Sequence, residues 1–431
     1  MNAKIAGLPK AIAEPRLIKQ SPLVRKAFSV MLIYYWLLQY VVTIHDTIEL
    51  GGFYYYLFVA PVAVFSLILL FGIRSFRLSA SPAMWMAAYM LTVSLVAIIR
   101  GDFQTMLSTA LFAITVMVVF VYRLTPSVNF INRLFVLSII ANSISFLCGN
   151  SIYAVLPGFS IDIDLWWRVS VFPGVATSAF FSLIVLLVNI VHREGEFRRI
   201  CLLLATYFFL LSGLRSALVA SLIIVLYFYL AREGFLRRSS VKVAYLVAAL
   251  GTFISFLFAS ELLLLRPSFA SELINVYLFR SVDGLNSDAE ATRSIHRTWL
   301  WMEHFRISSE SPVFGIGTFD FIAIANSDPA TGEGGTGSES FLTRLYARVG
   351  LPILLLVAAF ISAMLQNTRT SKELSFMIGL MIFVAMFAYG SFITAYDFIF
   401  LIMIGLLSGD TRAELTISPI SSAQSGYIPV T

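Results

Sequence analysis

Arg215 is the residue of this chain that most directly points to a chemical role. It stands in the segment LSGLRSAL, residues 211–218, between two apolar runs, and no carboxylate lies within ten residues on either side of it. An arginine at the edge of an apolar layer is costly unless its charge reaches water or a partner. An unpaired guanidinium suits bidentate binding of a phosphate group. The alternative is an arginine that merely extends to a membrane interface.

More arginines fall in an amphipathic stretch at about residues 289–306. One predicted helical face carries apolar residues at i, i+4 and i+7: Ile295, Trp299 and Met302. Another face carries basic and aromatic residues: Arg293, Arg297, Trp301 and His304. Arg293 and Arg297 repel each other unless an anion lies between them. Of the two, only Arg293 has an acidic residue three or four positions away, Glu290. The face is therefore either an anion site or a basic surface on lipid headgroups. His296 is a candidate base, although a histidine beside arginines is more often structural.

A further helix is predicted to begin at about residue 338. Ser338 is a plausible N-cap, which places Glu339 in the first turn, where the helix dipole favours a carboxylate. Glu339 is then either a dipole-stabilised acid of the helix start or a base that orients an incoming group. Arg344 and Arg348 follow at i and i+4 on one face of the same helix and are candidate substrate ligands.

Other polar segments carry weaker signals. Residues 312–317, PVFGIG, predict a turn. Residues 331–337, TGEGGTG, are either a lid over a substrate or a plain surface loop. The segment 45–49, HDTIE, and Asp397 are polar turns or acid sites. The two cysteines predict neither a metal site nor an intrachain disulfide.

The elements that must position these residues are membrane helices. The chain has 431 residues, of which 59% are hydrophobic and 13% charged, whereas soluble domains have about 25% charged residues. This composition excludes a soluble enzyme, a disordered chain and a disulfide scaffold. We expect an all-α polytopic membrane protein with about 12 transmembrane helices. The expected spans are 28–45, 52–73, 79–99, 104–122, 134–149, 171–191, 200–213, 216–231, 243–265, 349–366, 374–394 and 398–408.

The distribution of charge predicts the orientation. With both termini inside, twenty of the thirty Lys and Arg residues, including every Lys, lie in inside segments, as topology rules favour. The ten outside are all arginines, and seven of them fall in one long loop. The expected parts are a basic tail, 1–27; helices 1–9, 28–265; the long loop with short helices, 266–348; helices 10–12, 349–408; and a second tail, 409–431. The first span would serve as an uncleaved signal.

The order of these motifs resembles the O-antigen ligase/polymerase superfamily of bacterial inner-membrane proteins. The shared features are a Ser-Gly-x-Arg-Ser-Ala-Leu turn at Arg215, a long outside loop with an Arg/Trp helix, a Pro-x-x-Gly-x-Gly turn at 312–317, and a polar-Phe-Leu-x-x-Leu-x-x-x-x-Gly helix start at 340–350. These motifs cover about residues 200–366, and the expected topology extends the resemblance to the whole chain.

The resemblance implies a GT-C-like membrane glycosyltransferase that needs no metal or other cofactor and acts at the periplasmic face. Its donor would be a glycan on undecaprenyl diphosphate. Arg215 matches the arginine of the first motif, and either Arg293 or Arg297 matches a loop arginine that binds the diphosphate. Ligases of the family usually place His-Asn at the start of the post-loop helix, where this chain has Ser-Glu-Ser at 338–340. This difference favours a polymerase of an exopolysaccharide, capsule or O-antigen.

The expected reaction joins two lipid-linked repeats. Arg215, Arg297 and Arg293 would hold the diphosphate, and Glu339, or else His296, would orient or deprotonate the acceptor hydroxyl. Tryptophans would stack on sugar rings or anchor the interface: Trp166, Trp167, Trp299 and Trp301. The expected partners are lipid-linked glycans, the bilayer, a chain-length regulator and a flippase, and no nucleic acid is expected.

Three alternatives stay open at this stage. A ligase would move finished glycan to lipid A core or to protein. A flippase or transporter would need polar residues near mid-membrane, often in related halves, and the chain shows few mid-span charges and no repeat. A lipid-linked sugar transferase of a third type would use the acids of residues 45–49.

Overall fold

The computed structural model describes most of the helical part of the chain. It covers residues 22–45, 53–71, 82–150, 152–159, 168–192, 195–232, 239–264, 304–317, 340–366, 372–388, 393–395 and 397–408. The helices in these stretches are α1 (Pro22–His45), α2 (Phe53–Phe71), α3 (Pro82–Arg100), α4 (Phe103–Tyr122), α5 (Val128–Leu147), α6 (Val175–Val191), α7 (Arg198–Leu211), α8 (Arg215–Arg232), α9 (Ser239–Leu264), α10 (Phe341–Val349), α11 (Ile353–Gln366), α12 (Lys372–Ala388) and α13 (Phe398–Ser408).

Each apolar segment that the sequence predicts as a span coincides with a helix, and the ends differ by up to six residues. α3, α4 and α5 are long and apolar enough to cross a membrane by length and composition. The helical segment predicted to start near residue 338 is divided at Gly350 into the short helix α10 and the longer α11. The described chain is thus all-α, and its apolar helices support the expectation of a membrane protein.

Helix α13 lies at the centre of the described bundle. It is buried without interruption over Phe398–Leu407. The ring of Phe400 lies between those of Phe112 in α4 and Phe360 in α11, at 5.5 and 6.4 Å between centroids. A helix that is apolar on every side is typical of such a central position. α12 packs beside α13 and is also almost wholly buried.

A closed polar network joins α5 to α6 and to the turn before α7. Asn132 and Asn189 are fully buried, and the Nδ2 group of each donates to Oδ1 of the other, at 3.0 and 2.7 Å. Asn132 Nδ2 also donates to the backbone oxygen of Glu196 at 2.9 Å. Arg133 donates to both Glu196 carboxylate oxygens, at 2.7 and 2.8 Å, and these bonds hold the pKa of Glu196 below its usual value.

We expect Asn132→Leu to lower the free energy of unfolding by about 1–3 kcal/mol. The buried amide of Asn189 loses its two hydrogen bonds with Asn132, and the backbone oxygen of Glu196 loses a donor. Asn189→Leu should have a similar effect. The double variant should cost less than the sum of the two single variants, since no unpaired amide remains. Denaturant unfolding in detergent measures all three, and simple additivity would contradict the paired geometry.

Candidate functional site

Three of the ten predicted site residues lie in the described part of the chain. Arg215 is the first residue of α8, and Arg344 and Arg348 belong to α10. The others fall outside the described residues: Trp166, Arg293, His296, Arg297, Trp299, Trp301 and Glu339. Residues 331–337 and 46–49 also fall outside.

A tight turn presents Arg215 at a helix N-terminus, as the sequence predicts. Gly213 has a φ of 67°, which glycine adopts readily, and Ser212 Oγ accepts a hydrogen bond from the Leu214 N–H at 3.4 Å. The N–H groups of a first helical turn have no partner within the helix and favour anions. The hydroxyl of Ser216 is buried and has no hydrogen-bond partner among the described residues.

A second arginine, Arg168, is the neighbour in sequence of a residue that contacts the turn before Arg215. The N–H of Val169 donates to the carbonyl of Leu211, the last residue of α7, at 3.3 Å. Arg168 precedes Val169, so the loop between α5 and α6 carries it to the end of α7. Arg168 is not among the site residues that the sequence predicts. The signal in the sequence is the charge distribution, because Arg168 and Arg215 are two of only three arginines that the predicted topology places outside beyond the long loop.

Two side-chain contacts join α10 to α4, although the sequence assigns α10 to the end of the long loop. At its start the Phe341 ring lies 6.1 Å from the Phe112 ring, and at its end Arg348 Nη2 donates to Thr105 Oγ1 at 3.4 Å. Phe112 lies near the middle of α4. The start of α10 is therefore about 10 Å further along α4 than its end, given a rise of about 1.5 Å per residue.

The N-cap of α10 is Ser340, and the prediction of Ser338 is wrong. Ser340 is fully buried, and its Oγ accepts a hydrogen bond from the N–H of Thr343 at 3.3 Å. The first turn of α10 contains no acid, so the prediction that Glu339 occupies it is also wrong. The reason is burial: the first N–H groups of α10 lie away from water and need an acceptor directly beside them.

Helix α13, like α10, begins beside Phe112 of α4 and has a side-chain N-cap. Phe400, in its first turn, stacks on Phe112. One oxygen of Asp397 accepts hydrogen bonds from the N–H groups of Ile399 and Phe400, at 2.8 and 3.2 Å, and Gln39 Nε2 lies 3.5 Å from the other. Asp397, ambiguous in the sequence, is therefore an N-cap. The N-termini of α10 and α13 both lie near the middle of α4.

His304 lies buried at the start of α10. The sequence predicts His296, not His304, as a candidate base. His304 is 2% exposed, and its Nδ1 lies 3.0 Å from Oγ1 of Thr343, in the first turn of α10. The signal in the sequence was its place on the same predicted face as Arg293 and Arg297.

The turn predicted at 312–317 is confirmed, and its backbone is held against the end of α10. The N–H of Ile316 donates to the carbonyl of Ala347 at 2.9 Å. A Cβ on Gly315 would lie 2.3 Å from the backbone of Arg348, and one on Gly350 would lie 2.5 Å from the nitrogen of Gly315. Both glycines have positive φ. Only glycine permits the two backbones to come so close.

Three charged side chains lie beside this contact: Arg100 at the end of α3, Asp102 directly before α4, and Arg348 in α10. Arg100 Nη1 donates to a carbonyl of the 312–317 turn at 2.5 Å. Asp102 caps α4 by accepting a hydrogen bond from the Thr105 N–H at 3.0 Å. Arg348 reaches the same turn of α4 through Thr105. Arg348 thus has a structural contact, and substrate binding by Arg344 and Arg348 stays a prediction.

Comparison with protein-family models, with curated proteins and with solved structures gives no match to this chain. The family resemblance therefore rests on the sequence motifs alone.

The glycine contact predicts a difference between two substitutions. Gly101→Ala should cost about 1–2 kcal/mol, because Gly101 has a φ of 72° but open space around it. Gly315→Ala should cost clearly more, because a similar strain is joined by a collision with the backbone of Arg348. Thermal unfolding of both variants in detergent measures the difference. Equal losses would contradict the close approach of the two backbones.

Proposed function

We propose that this protein is a GT-C-like glycosyltransferase with twelve transmembrane helices in the bacterial inner membrane and both termini in the cytoplasm. It joins undecaprenyl-diphosphate-linked oligosaccharide repeats at the periplasmic face and so builds an exopolysaccharide, capsule or O-antigen. The order of the sequence motifs and the apolar, all-helical architecture support this proposal.

The observation that carries the proposal is the group of anion-binding features at the start of α8. Arg215 begins the helix, where the free N–H groups of the first turn favour negative charge. Ser216 adds a buried hydroxyl without a partner among the described residues. Arg168 lies one residue before the backbone contact with the end of α7. Guanidinium and N–H groups together are the donors that a diphosphate requires.

The proposed reaction needs positive charge because the diphosphate leaves with the electron pair of the glycosidic bond. The bond between C1 of the donor sugar and the diphosphate oxygen breaks, and the acceptor hydroxyl oxygen bonds to C1. The hydroxyl proton passes to a base, and undecaprenyl diphosphate leaves. Arg215, with Arg293 or Arg297 of the long loop, stabilises the growing negative charge.

The acceptor is proposed to lie at the start of α10. Glu339 directly precedes the Ser340 cap, and its carboxylate is the proposed base. His304 is supported over His296 because its contact with Thr343 holds it at this helix start. Either group can take the hydroxyl proton if it lies within hydrogen-bond reach.

His304 also favours a second candidate function, the transfer of glycan to an acceptor other than a repeat unit. Ligases of the resembled family usually place a histidine at the start of the post-loop helix. The sequence of this chain lacks a histidine at that position, but His304 reaches the same helix turn from the other side of the loop. The nature of the acceptor decides between polymerase and ligase.

Reconstitution of the purified protein with a short lipid-diphosphate oligosaccharide tests the function. A ladder of longer glycans is the result expected of a polymerase. Transfer only to an added acceptor, such as lipid A core, would favour the ligase instead. Movement of the lipid across the bilayer without new glycosidic bonds would contradict both enzymes and support a flippase.

Arg215→Ala should lower the polymerisation rate by about 100–1,000-fold, because a group that stabilises charge in the transition state is lost. Arg215→Lys should retain part of the rate, since the charge remains without bidentate geometry. The matched control is Arg199→Ala, which removes an exposed arginine near the start of α7. Normal polymer length and rate in Arg215→Ala, at normal protein level, would refute the diphosphate clamp.

A further inference from the structure

A groove runs along α3 on a face that the rest of the described bundle leaves uncovered. It has a volume of about 440 Å³ and is lined by α3 and by one residue of the 312–317 turn: Leu91, Thr92, Leu95, Val96, Ile99, Arg100 and Phe314. Leu91, Leu95 and Ile99 are 65%, 60% and 76% exposed. α3 is one of the helices suited to cross a membrane. In a membrane-spanning α3 these exposed apolar side chains would face the hydrocarbon layer.

One end of the groove carries a positive charge that no described carboxylate neutralises. Arg100 ends α3, and its guanidinium donates to the carbonyls of Phe314 and Gly315, at 3.4 and 2.5 Å, and to Ser311 Oγ at 3.2 Å. All three acceptors are neutral. A guanidinium has five N–H donors, and these bonds use at most three of them. Arg100 thus keeps both charge and donors for an anion at the end of the groove.

The rest of the groove has no charge. Apart from the Thr92 hydroxyl its lining is aliphatic or aromatic, and a volume of about 440 Å³ lies in the usual range of ligand clefts, about 300–1,000 Å³. An apolar trough that ends at one cation matches a lipid chain attached to a single phosphate. A zwitterionic lipid carries its own cation beside the phosphate, so the unneutralised charge of Arg100 favours an anionic lipid.

We propose that this groove binds an anionic phospholipid, with one acyl chain along α3 and the phosphate against Arg100. The lipid comes from the leaflet at the Arg100 end of α3. Phe314 and Arg100 also line a small cavity of about 10 Å³ beside Asp102 and Arg348. The bound lipid therefore braces the 312–317 turn against α3 and stabilises the position of α10. This site is separate from the start of α8 and does not depend on the glycosyltransferase proposal.

The test uses the full-length protein in detergent, with phosphatidylglycerol or phosphatidylcholine of identical chains added at equal concentration. Thermal unfolding and lipid retention in native mass spectrometry are the readouts. Phosphatidylglycerol should bind about five-fold more tightly and should raise the unfolding temperature more, as one basic residue contributes about that factor. Equal effects of the two lipids would overturn the proposal.

Two variants separate the charge from the groove. Arg100→Gln should abolish the preference for phosphatidylglycerol. Leu95→Trp should obstruct the groove and lower lipid retention without unfolding the protein, because Leu95 is 60% exposed. Arg199→Gln is the control for the loss of an exposed arginine and should leave the preference unchanged. If Arg100→Gln fails to fold, Leu95→Trp decides, and full retention of lipid by that variant would overturn the proposal.

A polyprenyl phosphate added in competition distinguishes the source of the phosphate. Phosphatidylglycerol should remain bound at equal concentrations of the two lipids. Its displacement by the polyprenyl phosphate would overturn the assignment to a phospholipid.

Discussion

The described structure depends on finding hydrogen-bond partners for backbone groups at helix ends that lie away from water. Every helix start leaves N–H groups without an intrahelical acceptor, and in an apolar layer each unsatisfied group is costly. Asp102, Ser340 and Asp397 solve this problem for α4, α10 and α13, and all three side chains are at most 7% exposed. These polar residues therefore determine where helices can begin inside the bundle.

The same requirement explains how the 312–317 turn is held. Its backbone is paired with the end of α10 through Ile316, and its carbonyls accept hydrogen bonds from Arg100. Gly315 and Gly350 allow this pairing because neither backbone has a Cβ in the way. The outcome is a closely packed junction of α3, the start of α4 and the end of α10. The start of α10, with Ser340 and the nearby His304, depends on this junction for its position.

Charge is used in two different ways in this molecule. Arg133 and Lys242 pair with the carboxylates of Glu196 and Glu373, at 2.7 and 3.5 Å. Arg100, in contrast, donates only to carbonyl and hydroxyl oxygens among the described residues. A cation that is hydrogen-bonded but not neutralised is fixed in place and still attracts an anion. This unneutralised charge is the basis of the proposed phospholipid site. At the proposed diphosphate site, the N–H groups at the start of α8 and Arg215 would attract an anion in the same way.

The sequence by itself determined the class of fold and the local turns. Long apolar runs predicted the helices, Gly213 predicted the turn before Arg215, and residues 312–317 predicted a second turn, because each depends on a few consecutive residues. It did not distinguish Ser340 from Ser338, or single out His304. Only the tertiary structure decided these points, because they follow from contacts between distant segments, such as His304 with Thr343 and α10 with α4. A local pattern records which groups need a partner, and packing alone decides which partner comes within reach.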